Sequence, residues 1–112
     1  MPQTLTFTIS DPQNEEWITT VNDDTDLTLA QGKTVVLASA AVGGVSIYLP
    51  TAAAPNQYRV VIVKKLDATA NLVSIIPDGS ETIDGASSYT LGDQYESVIM
   101  VSNGSNWHVL AT

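Results

Sequence analysis

The sequence predicts an all-β protein, an antiparallel β-sandwich of jelly-roll-like order with an extended N-terminal segment. Three observations lead there. Residues 45–50, 58–65, 72–77, 97–102 and 106–110 are short runs rich in Val, Ile, Tyr and Trp, the residue types that fit a pleated, half-buried surface. Gly, Pro, Asn and Asp stand between these runs at nearly regular intervals, as turns do in sandwiches and barrels. Near the start of the chain, Leu5, Phe7 and Ile9 alternate with Thr4, Thr6, Thr8 and Ser10. That period of two puts apolar side chains on one face and hydroxyls on the other. The expected organisation is a strand or arm over residues 1–32 and a β-module over 33–112, within one compact domain.

Each element follows from its residues. Asp11-Pro12-Gln13-Asn14 ends the first strand, because proline has no ladder donor and Asn and Asp favour local turns. Residues 17–21 hold too many β-branched side chains for a helix to persist, so they are expected to form a strand or an extended arm. Asn22-Asp23-Asp24 is a polar turn, after which Leu27 and Leu29 alternate with Thr28 and Ala30 as far as Gln31-Gly32. Residues 33–37 lead into Ala40, Ala41, Gly43 and Gly44, small residues that allow a tight bend. Pro50 ends the next strand, and prolines at both ends of residues 50–55 block a helix in the connection that follows. Val60-Val61-Ile62-Val63 lacks alternation, which suggests a central strand buried on both faces. Asp78-Gly79, Asp84-Gly85 and Asn103-Gly104 are turn dipeptides. Asn103-Gly104, between Val101 and Trp107, predicts that the last strand pairs with the one before it.

Composition narrows the function. A chain of 112 residues makes one domain that removes roughly two-thirds of its unfolded surface from water. Hydrophobic residues are 44% of the chain, yet only one Phe, two Trp and four Tyr are among them. The core is therefore expected to be thin and aliphatic, and burying a further face against copies of itself would help it, so a homo-oligomer is expected. Cysteine is absent, which removes disulfides, thiolate metal sites and a Cys nucleophile. There is no basic leader with an apolar core and no run of about eighteen apolar residues, so neither a signal peptide nor a membrane partner is expected.

Twelve acidic residues against four basic ones give a net charge of −8. Such a chain repels phosphate backbones, so protein rather than nucleic acid is the expected partner. Asp11, Glu15, Glu16, Asp23, Asp24 and Asp26 all precede Lys33, the first basic residue. This leading stretch reads either as a solvated face or as a docking surface for a basic partner.

Side chains equipped for chemistry are sparse. His108 is the only histidine, and its alternation with Trp107 and Val109 places it on the solvent face of a strand rather than in a catalytic or metal-binding role. Ser87, Ser88, Ser97 and Ser102 sit in no Gly-x-Ser-x-Gly elbow. Asp67, Asp78, Glu81 and Asp84 lack the alternating oxygen ligands of a calcium loop and read as turn formers. Gly43-Gly44 opens no phosphate-binding loop. No enzyme and no cofactor is expected. A hydrolase using a carboxylate pair formed across loops ranks third among the readings.

A series of short words runs through residues 34–110. Val45, Ile47, Leu49 and Pro50 form an alternation ending in Leu-Pro, followed by Ile62-Val63-Lys64-Lys65-Leu66-Asp67. Then come Asn71, Val73, Ile75, Pro77 and Gly79, and Glu81-Thr82-Ile83-Asp84-Gly85, the most distinctive word. Tyr89 and Leu91 follow, then Tyr95-Glu96-Ser97-Val98 and residues 101–107, Val-Ser-Asn-Gly-Ser-Asn-Trp. In this order the words resemble a β-rich module of bacteriophage virion proteins, found in head fibres, tail fibres and capsid decoration (cement) proteins. Asn56 departs from the pattern, which has Gly near that place.

The resemblance implies a stiff sheet stack that acts by sitting on another protein. A sequence running from Met1 to a last strand near Thr112 suits a freestanding decoration protein better than a fibre segment. The expected function is binding to the outer surface of the assembled head, where the protein, made in the host cytoplasm, stabilises contacts between major capsid protein subunits. The alternative is a receptor- or carbohydrate-binding module of a phage head or tail fibre. A homotrimer is favoured by resemblance, with a dimer next. Leu5, Phe7 and Ile9 are candidates to add a strand to a neighbour's sheet, and Trp17 to fill a pocket as an anchor. The opposing reading places all four in the protomer's own core.

Overall fold

The computed structural model describes residues 18–22, 27–28 and 34–112. Among them are nine strands: β1 (Ile18–Asn22), β2 (Leu27–Thr28), β3 (Val35–Ser39), β4 (Val45–Tyr48), β5 (Val60–Lys65), β6 (Val73–Ile76), β7 (Tyr89–Leu91), β8 (Ser97–Ser102) and β9 (Trp107–Ala111). They form two mixed sheets, one ordered β1-β3-β5-β8-β9 and the other β2-β4-β6-β7. The described part of the chain is all-β, as its residues predict, and contains no helix.

The antiparallel expectation is corrected. Strands β1 to β6 alternate between the sheets, so each pairs with the strand two places along. The pairs β1–β3, β3–β5, β2–β4 and β4–β6 are all parallel. Antiparallel pairing holds only for β5–β8, β6–β7 and β8–β9. The first six strands are therefore three turns of a coil, each giving one strand to either sheet, and the last three close it. This is not the antiparallel order of a jelly roll. Alternation of apolar residues fixes which side chains face inward but says nothing of strand direction. A parallel pair needs a crossover between its members, and here the crossover is itself a strand of the other sheet.

Both sheets face one core. Val36, Ala38 and Ala40, Val61 and Val63, Val98 and Met100, and Trp107 come from the first sheet, with Val45, Ile47 and Leu49, Val73 and Ile75, and Leu91 from the second. These side chains are almost wholly withdrawn from water. Apart from Trp107 the core is aliphatic, as the composition implies. β5 is central in its sheet, but its burial alternates, with Val61, Val63 and Lys65 buried and Val60, Ile62 and Lys64 half-buried. The expectation of burial on both faces is corrected accordingly, since no layer among the described residues covers the outer side.

The turn dipeptides behave as expected. Asn103-Gly104 opens the four-residue loop, 103–106, that joins β8 to β9, with Gly104 at φ 99°. Asp84 and Gly85 both have positive φ, 49° and 83°, the signature of a two-residue hairpin turn. Ile83 and Ala86 exchange both backbone hydrogen bonds across it.

Candidate interaction surface

Several polar side chains of the described loops hold backbone. Asp67 is the main example. Its carboxylate accepts from the Lys65 ammonium at 2.7 Å, from the backbone N–H of Ala40 at 2.7 Å and of Thr69 at 3.1 Å, and from the Thr69 hydroxyl. Burial alone would raise the Asp67 pKa, but Lys65, Thr69 and Ala40 together hold it far below the usual carboxylate range. Lys65 is fully buried and also donates to the carbonyls of Asp67 and Thr69. Asn71 Nδ2 donates to the Ala40 carbonyl, which also lies 3.1 Å from Thr69 Oγ1. The bend after β3 is thus tied to the loop after β5 by a charged, satisfied network.

Glu81 does a similar task at the opposite end. It accepts from the Thr51 hydroxyl and from the Ala52 N–H, both at 2.9 Å. Ser102 Oγ donates to the Ala52 carbonyl and accepts from the Gly104 N–H, while Asn106 Oδ1 accepts from the Thr82 N–H. Asp67 and Glu81, expected as turn formers, prove to be clamps between separate loops. His108 is exposed, as its alternation predicts, with Nδ1 3.6 Å from Asp84 Oδ1. Among the described residues no group of three or more His, Cys, Asp or Glu side chains is placed to hold a metal ion.

The outward faces of the two sheets differ. On the second sheet, Ser46, Ser74 and Thr90 form one row across β4, β6 and β7, beside the pair Tyr48 and Ile76. On the first sheet, Val35, Ile62 and Ile99 form a row across β3, β5 and β8. Val60 pairs with Val101 on one side of that row, and Leu37, Lys64 and Ser97 lie on the other. Leu110, on β9, is 62% exposed. The Val and Ile side chains of these rows are half-buried.

A repeat in the chain orders this face. Asn56-Gln57-Tyr58-Arg59 precedes β5, and Asp93-Gln94-Tyr95-Glu96 precedes β8. Each is a tight turn closed by a hydrogen bond from its fourth residue to its first, Arg59 to Asn56 and Glu96 to Asp93. In each the tyrosine has φ of 66°, a left-handed conformation costly for a bulky residue. Tyr58 donates its N–H to the Ser102 carbonyl and Tyr95 donates to the Lys65 carbonyl. The pair Ile62–Ile99 therefore sits on an approximate two-fold axis that exchanges β5 with β8 and Tyr58 with Tyr95. The tyrosines are 71% and 61% exposed, and Lys64 Nζ lies 5.5 Å from the Tyr95 ring centroid.

Leu5, Phe7, Ile9 and Trp17 lie outside the described residues. Sequence reasoning missed Lys65, Tyr58 and Tyr95. Lys65 was signalled by its inward register after Val61 and Val63, and the tyrosines by the repeated Gln-Tyr pair. No family model matches the chain, and no curated protein matches it.

Proposed function

We propose that this chain is a bacteriophage capsid decoration protein, which binds the outer surface of the assembled head and holds neighbouring major capsid protein subunits together. The ordered words from Val45 to Trp107 support this reading by their resemblance to virion modules. The observation that carries it furthest is the division of labour among side chains. The described loop carboxylates Asp67 and Glu81 are spent on holding loops rigid, while one broad sheet face carries Val and Ile outward. In this reading the two sheets are the layers of a sandwich that serves as a stiff spacer. Binding only to the assembled lattice stabilises it by mass action, and several contacts per oligomer multiply the effect. Residues Leu5, Phe7, Ile9 and Trp17 are proposed to make the attachment, in a homo-oligomer.

Mixing the purified protein with expanded, undecorated heads tests the proposal. Saturable binding at lattice positions is expected, reduced by deletion of residues 1–16 or by Trp17→Ala. Absence of binding by a folded protein contradicts it. A second reading, a carbohydrate- or receptor-binding module, is favoured by the exposed rings of Tyr58 and Tyr95, since aromatic faces are platforms for sugars. Binding above background on a glycan array would put that reading first.

A further inference from the structure

We propose that Asn103 is a modification site: its side-chain amide is lost as ammonia through attack by the Gly104 nitrogen, and the Ser102 hydroxyl is the lock that delays this in the folded protein. The inference stands apart from the decoration reading.

The sequence selects the residue. Six asparagines stand in the chain, and Asn103 alone is followed by glycine. A side chain on the following residue crowds the nitrogen that has to reach Cγ, and glycine has none. In the reaction the Gly104 nitrogen bonds to Asn103 Cγ and gives its proton to water. The Cγ–Nδ2 bond breaks, and Nδ2 takes a proton and leaves as ammonia. Water then opens the five-membered imide at either carbonyl, which leaves aspartate or isoaspartate at position 103. Solvent water is the co-reactant. Asp78-Gly79 and Asp84-Gly85 offer the same glycine but begin from carboxylates, which have no ammonia to lose.

In the 103–106 loop the electrophile is drawn out while the nucleophile is held back. Asn103 Oδ1 accepts the N–H of Ser105 at 3.0 Å and of Asn106 at 2.9 Å. Two donors on that oxygen pull charge from Cγ and face the negative charge that grows on Oδ1 during attack, as an oxyanion hole does. Asn103 and Ser105 are exposed, so water reaches the amide. The nitrogen is placed differently. Gly104 N–H donates to Ser102 Oγ at 3.1 Å, and Ser102 is fully buried, its own hydroxyl donating to the Ala52 carbonyl. Gln57 packs over Gly104, so closely that a Cβ there would meet its side chain at 3.0 Å. To attack, the nitrogen has to lose its proton and approach Cγ, and this breaks its bond to Ser102. That bond is local, so its opening rather than global unfolding sets the rate.

The two products differ in consequence. Aspartate keeps an oxygen where Ser105 and Asn106 donate, and its charge strengthens those bonds. Isoaspartate adds a methylene to the main chain of a loop that is closed by the bond from Asn103 N–H to the Asn106 carbonyl. The same loop adjoins Tyr58, whose N–H is held by the Ser102 carbonyl. Isoaspartate therefore loosens the Tyr58 end and leaves the Tyr95 end as it is.

Ageing the folded wild-type protein in mildly alkaline buffer tests the proposal, with residue 103 scored by peptide mass spectrometry and isoaspartate by methyltransferase labelling. Conversion is expected first at Asn103, and more slowly than in the same chain unfolded by urea. Ser102→Ala is expected to speed conversion about tenfold, the equivalent of one hydrogen bond, with a circular dichroism spectrum like the wild type. Asp67→Ala, at the other end of the β5–β8 pair, is expected to speed it less while the protein stays folded. Should Ser102→Ala fail to fold, Gln57→Ala, which uncovers Gly104, serves in its place and is expected to speed conversion too. Conversion as fast in the folded wild type as in urea overturns the lock. So does a folded Ser102→Ala protein that converts at the wild-type rate, or a larger effect from Asp67→Ala, which would assign the rate to global unfolding. An unfolded chain in which Asn103 persists while other asparagines convert overturns the modification site itself.

Discussion

Lys65 and Ser102 occupy equivalent places under the internal two-fold, each the last inward residue of its strand and each receiving the N–H of a left-handed tyrosine. They close the two ends of the β5–β8 pair by different chemistry. At one end a buried ammonium meets the carboxylate of Asp67, with the loop residues Ala40 and Thr69 drawn in. At the other a neutral hydroxyl joins the Ala52 carbonyl to the Gly104 N–H, and Glu81 holds the same loop from outside. The contrast teaches that one strand pairing tolerates either solution. What both ends share is that polar groups are used to fix loops. The exposed Val42, Leu72 and Tyr95 stand on or beside loops tied in this way.

The sharpest test of the contrast is Asp67→Ala, which leaves the fully buried Lys65 charge without its counter-ion. A loss of about 3–5 kcal/mol in urea unfolding is expected. Adding Lys65→Met to Asp67→Asn should recover most of that loss, because the unpaired charge is gone and an amide oxygen remains for Ala40 and Thr69. Ser102→Ala, the equivalent change at the neutral end, should cost less, about 1–3 kcal/mol, since it strands an uncharged carbonyl and an uncharged N–H. Equal costs at the two ends would break the comparison.

Acid separates the ends in another way. Asp67 has a folded pKa below its unfolded value near 3.9, so its contribution is fully present above about pH 4 and is lost as pH falls toward the folded pKa. Urea midpoints measured from pH 7 to pH 2 should show a decline below about pH 4 that is shallower in Asp67→Asn than in the wild type. The same slope in both would remove Asp67 from the account. The smallest effect belongs to His108→Ala: its pair with Asp84 is exposed, so its loss should change stability by less than about 1 kcal/mol.

Much of this architecture was legible in the sequence. The runs at 97–102 and 106–110 became β8 and β9, and Asn103-Gly104 became part of the four-residue hairpin loop between them, because turn residues and a period of two are local signals. Strand direction was not legible. β3 and β5 are separated in the chain by a strand of the other sheet, and no local residue records which way distant strands run. Lys65 reads in the sequence as the polar end of a strand, because patterns weigh charge against burial. The carboxylate that permits its burial, Asp67, lies in a loop. The outward face was hidden for a related reason. Val60, Ile62, Ile99 and Val101 read as core residues, and it is the layering of the first sheet among the described residues that leaves them half-buried on its outer side.

The central claim is that the molecule works by attaching to an assembled protein shell. Co-sedimentation of the wild-type protein with undecorated heads, beside isolated major capsid subunits at equal mass, tests it most directly. The account predicts saturable binding to the heads at a fixed number of copies per lattice site and none to the isolated subunits. Equal binding to both, or to neither, would contradict it.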